Sequence, residues 1–238
     1  YHGQKTFNKD YSAIFAVSSI ANAIKYYDIF QKKKQAGEHD LRIATIFTYG
    51  ANEEDEDAQD YLPGDEEPLT LAADAKVAYM SSHTRDKLES CIVDYNNMYG
   101  TSFSTKDSQA FENYFKDISK RLKEREKETA KDEDRLDILL VVSMFLTGFD
   151  AKKVNTMYVD KNLKHHGVIQ AYSRTNRILG EQKSQGNILC FRNLKKATDE
   201  AITLFSNKEA IEDIILPPYQ VIAAIFEEAL KVLLTITP

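Results

Sequence analysis

Two guanidiniums and an amide come close together in the segment Gln170-Ala171-Tyr172-Ser173-Arg174-Thr175-Asn176-Arg177. At about 100° per helical residue, Gln170, Arg174 and Arg177 fall within roughly 60° of one another. Val168, Tyr172 and Leu179 fall on the opposite side. A helix patterned this way docks one face and presents two planar cations from the other. Arginine stays charged and can bridge phosphate oxygens bidentately, so a polyphosphate is the ligand such a pair suits. The plain alternative is a solvent-facing arginine pair, since exposed arginine is common.

A second segment, Leu146-Thr147-Gly148-Phe149-Asp150, follows the apolar run DILLVV at 137–142. Ligands of open parallel sheets bind at the carboxyl ends of strands, and the loop is expected there. Gly148 permits close backbone approach, Thr147 offers a hydroxyl to a phosphate, and Asp150 can accept from a sugar hydroxyl. Taken alone this segment is a turn. Its place just ahead of the Gln/Arg/Arg helix gives it weight.

These residues need a frame to hold them. Apolar runs of strand length occur at Tyr11–Val17, Arg42–Thr48, Asp137–Val142, Val154–Val159 and Asn187–Phe191. Helical patterns fall between them. One helix opens at a Ser18-Ser19 cap and closes near Gly37, with lysines in its last turn. Two amphipathic helices follow, marked by Leu88, Ile92, Tyr95 and Tyr99 and by Phe111, Phe115, Ile118 and Leu122. Helices are also expected at His165–Leu179 and Leu194–Phe205. Strands alternating with helices mean crossover units and a parallel sheet covered by helices. After Leu216-Pro217-Pro218, residues 219–238 read as a strongly apolar helix with no obvious partner in this sequence. The abrupt start and this orphan helix give the chain the look of a fragment.

With 238 residues, 42% of them apolar, the chain can bury a full core. No uncharged apolar run reaches the 18 residues of a membrane span, and Tyr1–Asp10 is too polar for a signal peptide. The two cysteines, Cys91 and Cys190, suggest reduced thiols and a cytoplasmic setting. No metal ligand set is expected: there is no CxxC, and His165 and His166 are adjacent, about 100° apart on a helix. Residues 51–67 carry nine acids and no Lys or Arg; setting those nine aside turns the formal charge of −6 into +3. The folded part is therefore mildly basic, with an acidic, solvated insert at 51–80. The KRLKEREKE end of the Phe111 helix reads as a salt-bridged exposed face.

A buried strand, TGFD, another strand and then QAYSRTNR resembles motifs V and VI of superfamily 2 helicases, in their second RecA-like domain. The stretch LLVVSMFLTGFDAKKVNTMYVDKNLKHHGVIQAYSRTNRILGEQKSQGNILCFRNL more closely resembles the motor (R) subunit of type I restriction-modification enzymes. The likeness runs from the first strand to Leu216 and is densest from Asp137 to Leu194. It implies an α/β, RecA-like lobe with helices on both faces over residues 1–215. The start of an all-α domain would follow at 216–238. It also implies an ATP site, with Mg2+, shared with a first lobe. Arg177 matches the arginine finger of motif VI, with Arg174 its companion and Gln170 positioning both. Asp150 and Gly148 match the part near the nucleotide. Thr147 faces the DNA backbone, and Ser18 and Ser19 match the loosely defined motif IV. The implied parent is an ATP-dependent DNA translocase and site-specific deoxyribonuclease. It would act on double-stranded DNA with modification methyltransferase and specificity subunits, away from any membrane.

The chain departs from the full pattern. It has no GxxxxGK[ST] phosphate loop and no PD…(D/E)xK nuclease pattern, and Asp132-Glu133-Asp134 follows no apolar strand. The resemblance then implies half a motor, inactive alone. The rivals are the second lobe of another superfamily 2 translocase and a non-catalytic DNA- or protein-binding module.

Overall fold

The computed structural model describes residues 10–47, 82–127, 129–146, 148–179, 183–205 and 219–235. The acidic insert at 51–80, Thr147 and Leu216-Pro217-Pro218 lie outside them. Five strands, β1 (Ser12–Val17), β2 (Ile43–Ile46), β3 (Ile138–Val141), β4 (Val154–Asp160) and β5 (Asn187–Cys190), form one sheet in the order β2-β3-β1-β4-β5. Every pairing is parallel, with Phe15 of β1 set against Leu140 of β3 and Tyr158 of β4. All five lie within the strand-length segments expected from the sequence. Strands β1, β2 and β3 are buried at every residue. That is the pattern of a parallel sheet covered on both faces. Edge strand β5 instead alternates half-buried and exposed residues.

Around the sheet lie α1 (Ile20–Gln35), α2 (Ser82–Tyr99), α3 (Ser108–Glu124), α4 (His165–Ser173) and α5 (Lys195–Phe205); α6 (Tyr219–Thr235) follows. The β1→β2 and β4→β5 crossovers run in opposite directions across the sheet. Right-handed connection therefore puts α1 and α4 on opposite faces. The expected cap of α1 forms: the Ser19 hydroxyl accepts from the Asn22 amide at 3.2 Å. Lys32, Lys33 and Lys34 fill its last turn, and Gly37 takes φ 73° just beyond it. Helix α3 buries Phe111, Tyr114, Ile118 and Leu122, and the Tyr114 hydroxyl donates to the Thr45 carbonyl at 2.8 Å.

The charged end of α3 differs from expectation. Arg125, its C-cap, is buried rather than solvated. Its guanidinium donates to the carbonyls of Leu136 at 2.6 Å, Asp10 at 3.2 Å and Tyr11 at 3.3 Å, and to Asp137 Oδ1 at 3.2 Å. Asp137 also accepts from the Arg42 amide at 2.9 Å. This pair ties together the amino ends of β1, β2 and β3. Alternating charge signs could not reveal it, because the burial comes from strands distant in sequence.

Of the thiols, Cys91 is buried, which pushes its pKa up to about 12, while Cys190 is exposed; both are free. Helix α6 is exposed along almost all its described side chains. No helix among the described residues is long and apolar enough to cross a membrane.

Candidate functional site

The chain leaves β3 at the carboxyl edge of the sheet and must enter β4 at the amino edge. The described residues of 142–153 make that journey without a helix. Phe145 packs on Phe115 at 4.8 Å and on Phe149 at 4.7 Å, and Lys123 Nζ lies 5.6 Å from the Phe149 ring centre. The loop thus descends alongside α3 towards that helix's last turn. Phe145 takes φ 65°, a left-handed conformation costly for an aromatic residue, and the two ring contacts hold it there.

This path corrects one expectation. Gly148, Phe149 and Asp150 lie beside the entrance to β4, where the Ser12 amide donates to the Lys153 carbonyl at 2.9 Å. They stand at the amino edge of the sheet rather than the carboxyl edge. A parallel connection has to return over the whole strand length, and Gly148, Phe149 and Asp150 fall in the second half of that return.

Helix α4 returns from the carboxyl edge of β4 and buries Val168 and Ala171. It stops at Ser173, well short of the expected Leu179. Side chains take over its last carbonyls. Ser173 Oγ donates to the Gln170 carbonyl at 2.7 Å and Arg174 Nε to the same oxygen at 3.0 Å. Thr175 Oγ1 donates to the Tyr172 carbonyl at 3.0 Å. The backbone amides of Arg174, Thr175 and Asn176 each reach back three residues, at 3.1, 3.2 and 3.3 Å. Hydroxyl side chains compete with the helical ladder in this way, and the run Ser-Arg-Thr-Asn therefore unwinds the helix. Arg174 becomes its C-cap, and Arg177 lies in the segment beyond it.

The two arginines nevertheless meet the TGFD loop. The Arg174 guanidinium donates to the Phe149 carbonyl and, at 2.9 Å, to Ser173 Oγ. Burial foremost, and the charge of Arg177 next, hold its pKa below the ordinary range, while Asp150 opposes them. Arg177 Nε pairs with Asp150 Oδ1 at 2.9 Å, with both side chains more than half exposed (58% and 53%). The Gln170 side chain carries a buried Oε1 with no hydrogen-bond partner. Arg174 and Arg177 are thus brought against Phe149 and Asp150, with Gly148 next to them in the chain and Gln170 joined through its main-chain carbonyl. Ser18 and Ser19 are not. They follow β1 at the carboxyl edge, both buried, and their hydroxyls serve α1; Ser18 Oγ accepts from Asn22 Nδ2 at 2.7 Å.

Lys183 escaped the sequence reading, since a lysine in a polar turn carries no signal. The residue is only 4% exposed, and Nζ donates to the carbonyls of Lys152 at 2.9 Å and Val154 at 2.8 Å. Burial pushes its pKa down to about 8, against the opposing pull of Asp150. An antiparallel bridge between Leu179 and Lys183, with bonds of 3.1 and 3.4 Å, closes the end of the segment that carries Arg177. Gly186 seals the far side: a β-carbon there would lie 2.2 Å from Thr175 Oγ1, and Thr175 is fully buried.

The family described as type I restriction enzyme subunit R domain 3 matches residues 9–193. A type I restriction enzyme endonuclease subunit of Staphylococcus aureus (strain COL) is 42% identical over 237 residues, which is 100% of this chain and 22% of that protein. One from Staphylococcus saprophyticus is 43% identical over 229 residues, covering 96% of this chain and 22% of that protein. A more distant one, the HindI endonuclease subunit of Haemophilus influenzae, is 34% identical over 107 residues, 44% of this chain and 9% of that protein. The chain therefore spans about a fifth of the length of the first two relatives. The family match covers β1 to β5 and the whole cluster around Arg177, and the chain belongs to the type I restriction enzyme subunit R family.

Proposed function

We propose that this chain supplies one wall of an ATP site in the DNA-translocating and DNA-cleaving subunit of a type I restriction enzyme. Residues 1–215 act as the second RecA-like lobe, and 216–238 open a helical domain. Arg177 is the arginine finger and Arg174 its companion, with Gln170 steadying both; Asp150 and Gly148 lie towards the nucleotide. Thr147, Ser18 and Ser19 face the DNA backbone, the two serines through the backbone around the α1 cap. ATP and Mg2+ are held mainly by a first lobe elsewhere in the parent, and no Mg2+ ligand is assigned among the residues described here. Duplex DNA and the modification and specificity subunits are the partners.

The observation that carries this reading is the exposed Arg177–Asp150 pair beside the half-buried Arg174. An exposed ion pair is worth about 0–1 kcal/mol, so a polyphosphate can displace Asp150 from Arg177 at little cost. In the phosphoryl-transfer transition state, Arg177 offsets the charge spread over the phosphoryl oxygens. Arg174, fixed by the Phe149 carbonyl, keeps a second positive charge nearby. Hydrolysis then depends on closure of two lobes. In the intact subunit Arg177→Ala is expected to lower DNA-stimulated ATP turnover by about 10³-fold or more while ATP binding stays nearly intact. Loss of binding with normal turnover of the bound fraction would sink the assignment.

A further inference from the structure

The segments carrying Asp150 and Arg177 are joined on both sides of that pair. On one side the Arg174 guanidinium holds the Phe149 carbonyl. On the other, Lys183 Nζ holds the carbonyls of Lys152 and Val154 at 2.9 and 2.8 Å. The Leu179–Lys183 bridge passes that anchor to the chain two residues beyond Arg177. An uncharged side chain would fill the Lys183 site without the cost of desolvating an ammonium, so packing alone does not call for lysine. What lysine adds is a donor that reaches two carbonyls of the neighbouring segment at once.

We propose that Lys183 is a positioning residue for the arginine finger. Its ammonium fastens the segment bearing Arg177 to the entrance of β4, which bears Asp150, and so fixes where Arg177 stands. This inference rests on the reading of Arg177 given above. The Arg177–Asp150 contact is too exposed to hold that position by itself. Lys183 touches neither ATP nor the reacting atoms and acts through Arg177. A finger displaced by about 1 Å loses roughly 10²-fold in rate without losing the nucleotide.

The test uses the intact endonuclease subunit in its complex, with DNA-stimulated ATP hydrolysis and equilibrium ATP binding measured side by side. Lys183→Met keeps the length of the stem and removes the donors. Its kcat per bound ATP is expected to fall at least about tenfold, with KM for ATP within about threefold of wild type. A merely structural lysine would instead give a lower melting temperature and fewer ATP-binding equivalents, with normal turnover per bound ATP; that result overturns the proposal. Should Lys183→Met fail to fold, Lys183→Gln, with one amide donor on a shorter stem, takes its place under the same criterion. Arg177→Ala is run in parallel. Normal turnover there overturns the finger reading and this proposal with it. Lost turnover there with normal turnover in the Lys183 variant overturns this proposal alone.

Discussion

Two arginine–aspartate pairs stand on the same amino edge of one sheet. Arg125 and Asp137 are 3.2 Å apart, with side chains 1% exposed each. Arg177 and Asp150 are closer, at 2.9 Å, but both are more than half exposed. Distance alone would rank the second pair as stronger. Environment reverses the order. Arg125 has given up water for backbone carbonyls and a carboxylate, and removing it takes the guanidinium partner from the buried Asp137 side chain. Arg177 keeps its water and can exchange Asp150 for another anion. One pair is committed to the fold, while the other remains available to a ligand.

The contrast makes a double dissociation the sharpest test. Arg177→Ala should give the largest effect, the loss of turnover stated above, with stability of the lobe changed by less than about 1 kcal/mol. Arg125→Ala should do the reverse. It should weaken the lobe by about 3–5 kcal/mol, read from faster hydrogen exchange at the β1 and β3 amides. A loss below 1 kcal/mol there would erase the distinction between the pairs.

Gly186→Ala sits between them, because its β-carbon would press on buried Thr175. It is expected to cost about 1–3 kcal/mol and to loosen the Arg177 segment, visible as increased exchange at 174–179. Unchanged exchange would mean that Gly186 does not clamp that segment.

Lys183 supplies a pH test. Its pKa of about 8 in the folded chain lies below the ordinary lysine value of about 10.4. Between those values the unfolded chain binds the proton and the folded chain does not. Lys183 thus makes stability rise with pH through that window, while below pH 8 its burial penalty is full and constant. The wild-type stability curve minus that of Lys183→Met should show this rise; parallel curves from pH 8 to 10.4 would contradict it. The smallest effect belongs to Asp150→Ala. It should alter stability by less than about 1 kcal/mol, and any change should fade at high salt.

Much of the frame was legible because it is written locally. Ile138–Val141 is apolar throughout, as a strand buried on both faces tends to be, and Val154–Asp160 is rich in β-formers despite its buried Asn155 and Thr156. The α1 cap needed only a serine ahead of a periodic run. The neighbourhood of the Gly148–Asp150 and Gln170–Arg177 segments was also picked out by residue types and order, and the contacts of Arg174 with Phe149 and of Arg177 with Asp150 join the two. Its geometry was not. Helical periodicity carried the helix on to Leu179, whereas Ser173, Arg174 and Thr175 bond back to their own turn and end it. Lys183 left no trace, because its partners are carbonyls, and every residue has one.

The sequence by itself determined where five strands lie, most of their helical connections and a pair of arginines close together in the chain, since side-chain period and charge are properties of short segments. Only the tertiary structure decided the strand order, the return of the Gly148–Asp150 loop to the amino edge, and which of two Arg–Asp pairs would be sealed from water. Those outcomes depend on what distant segments bring to the same place: β1 and β3 closing over Arg125, and nothing among the described residues closing over Arg177.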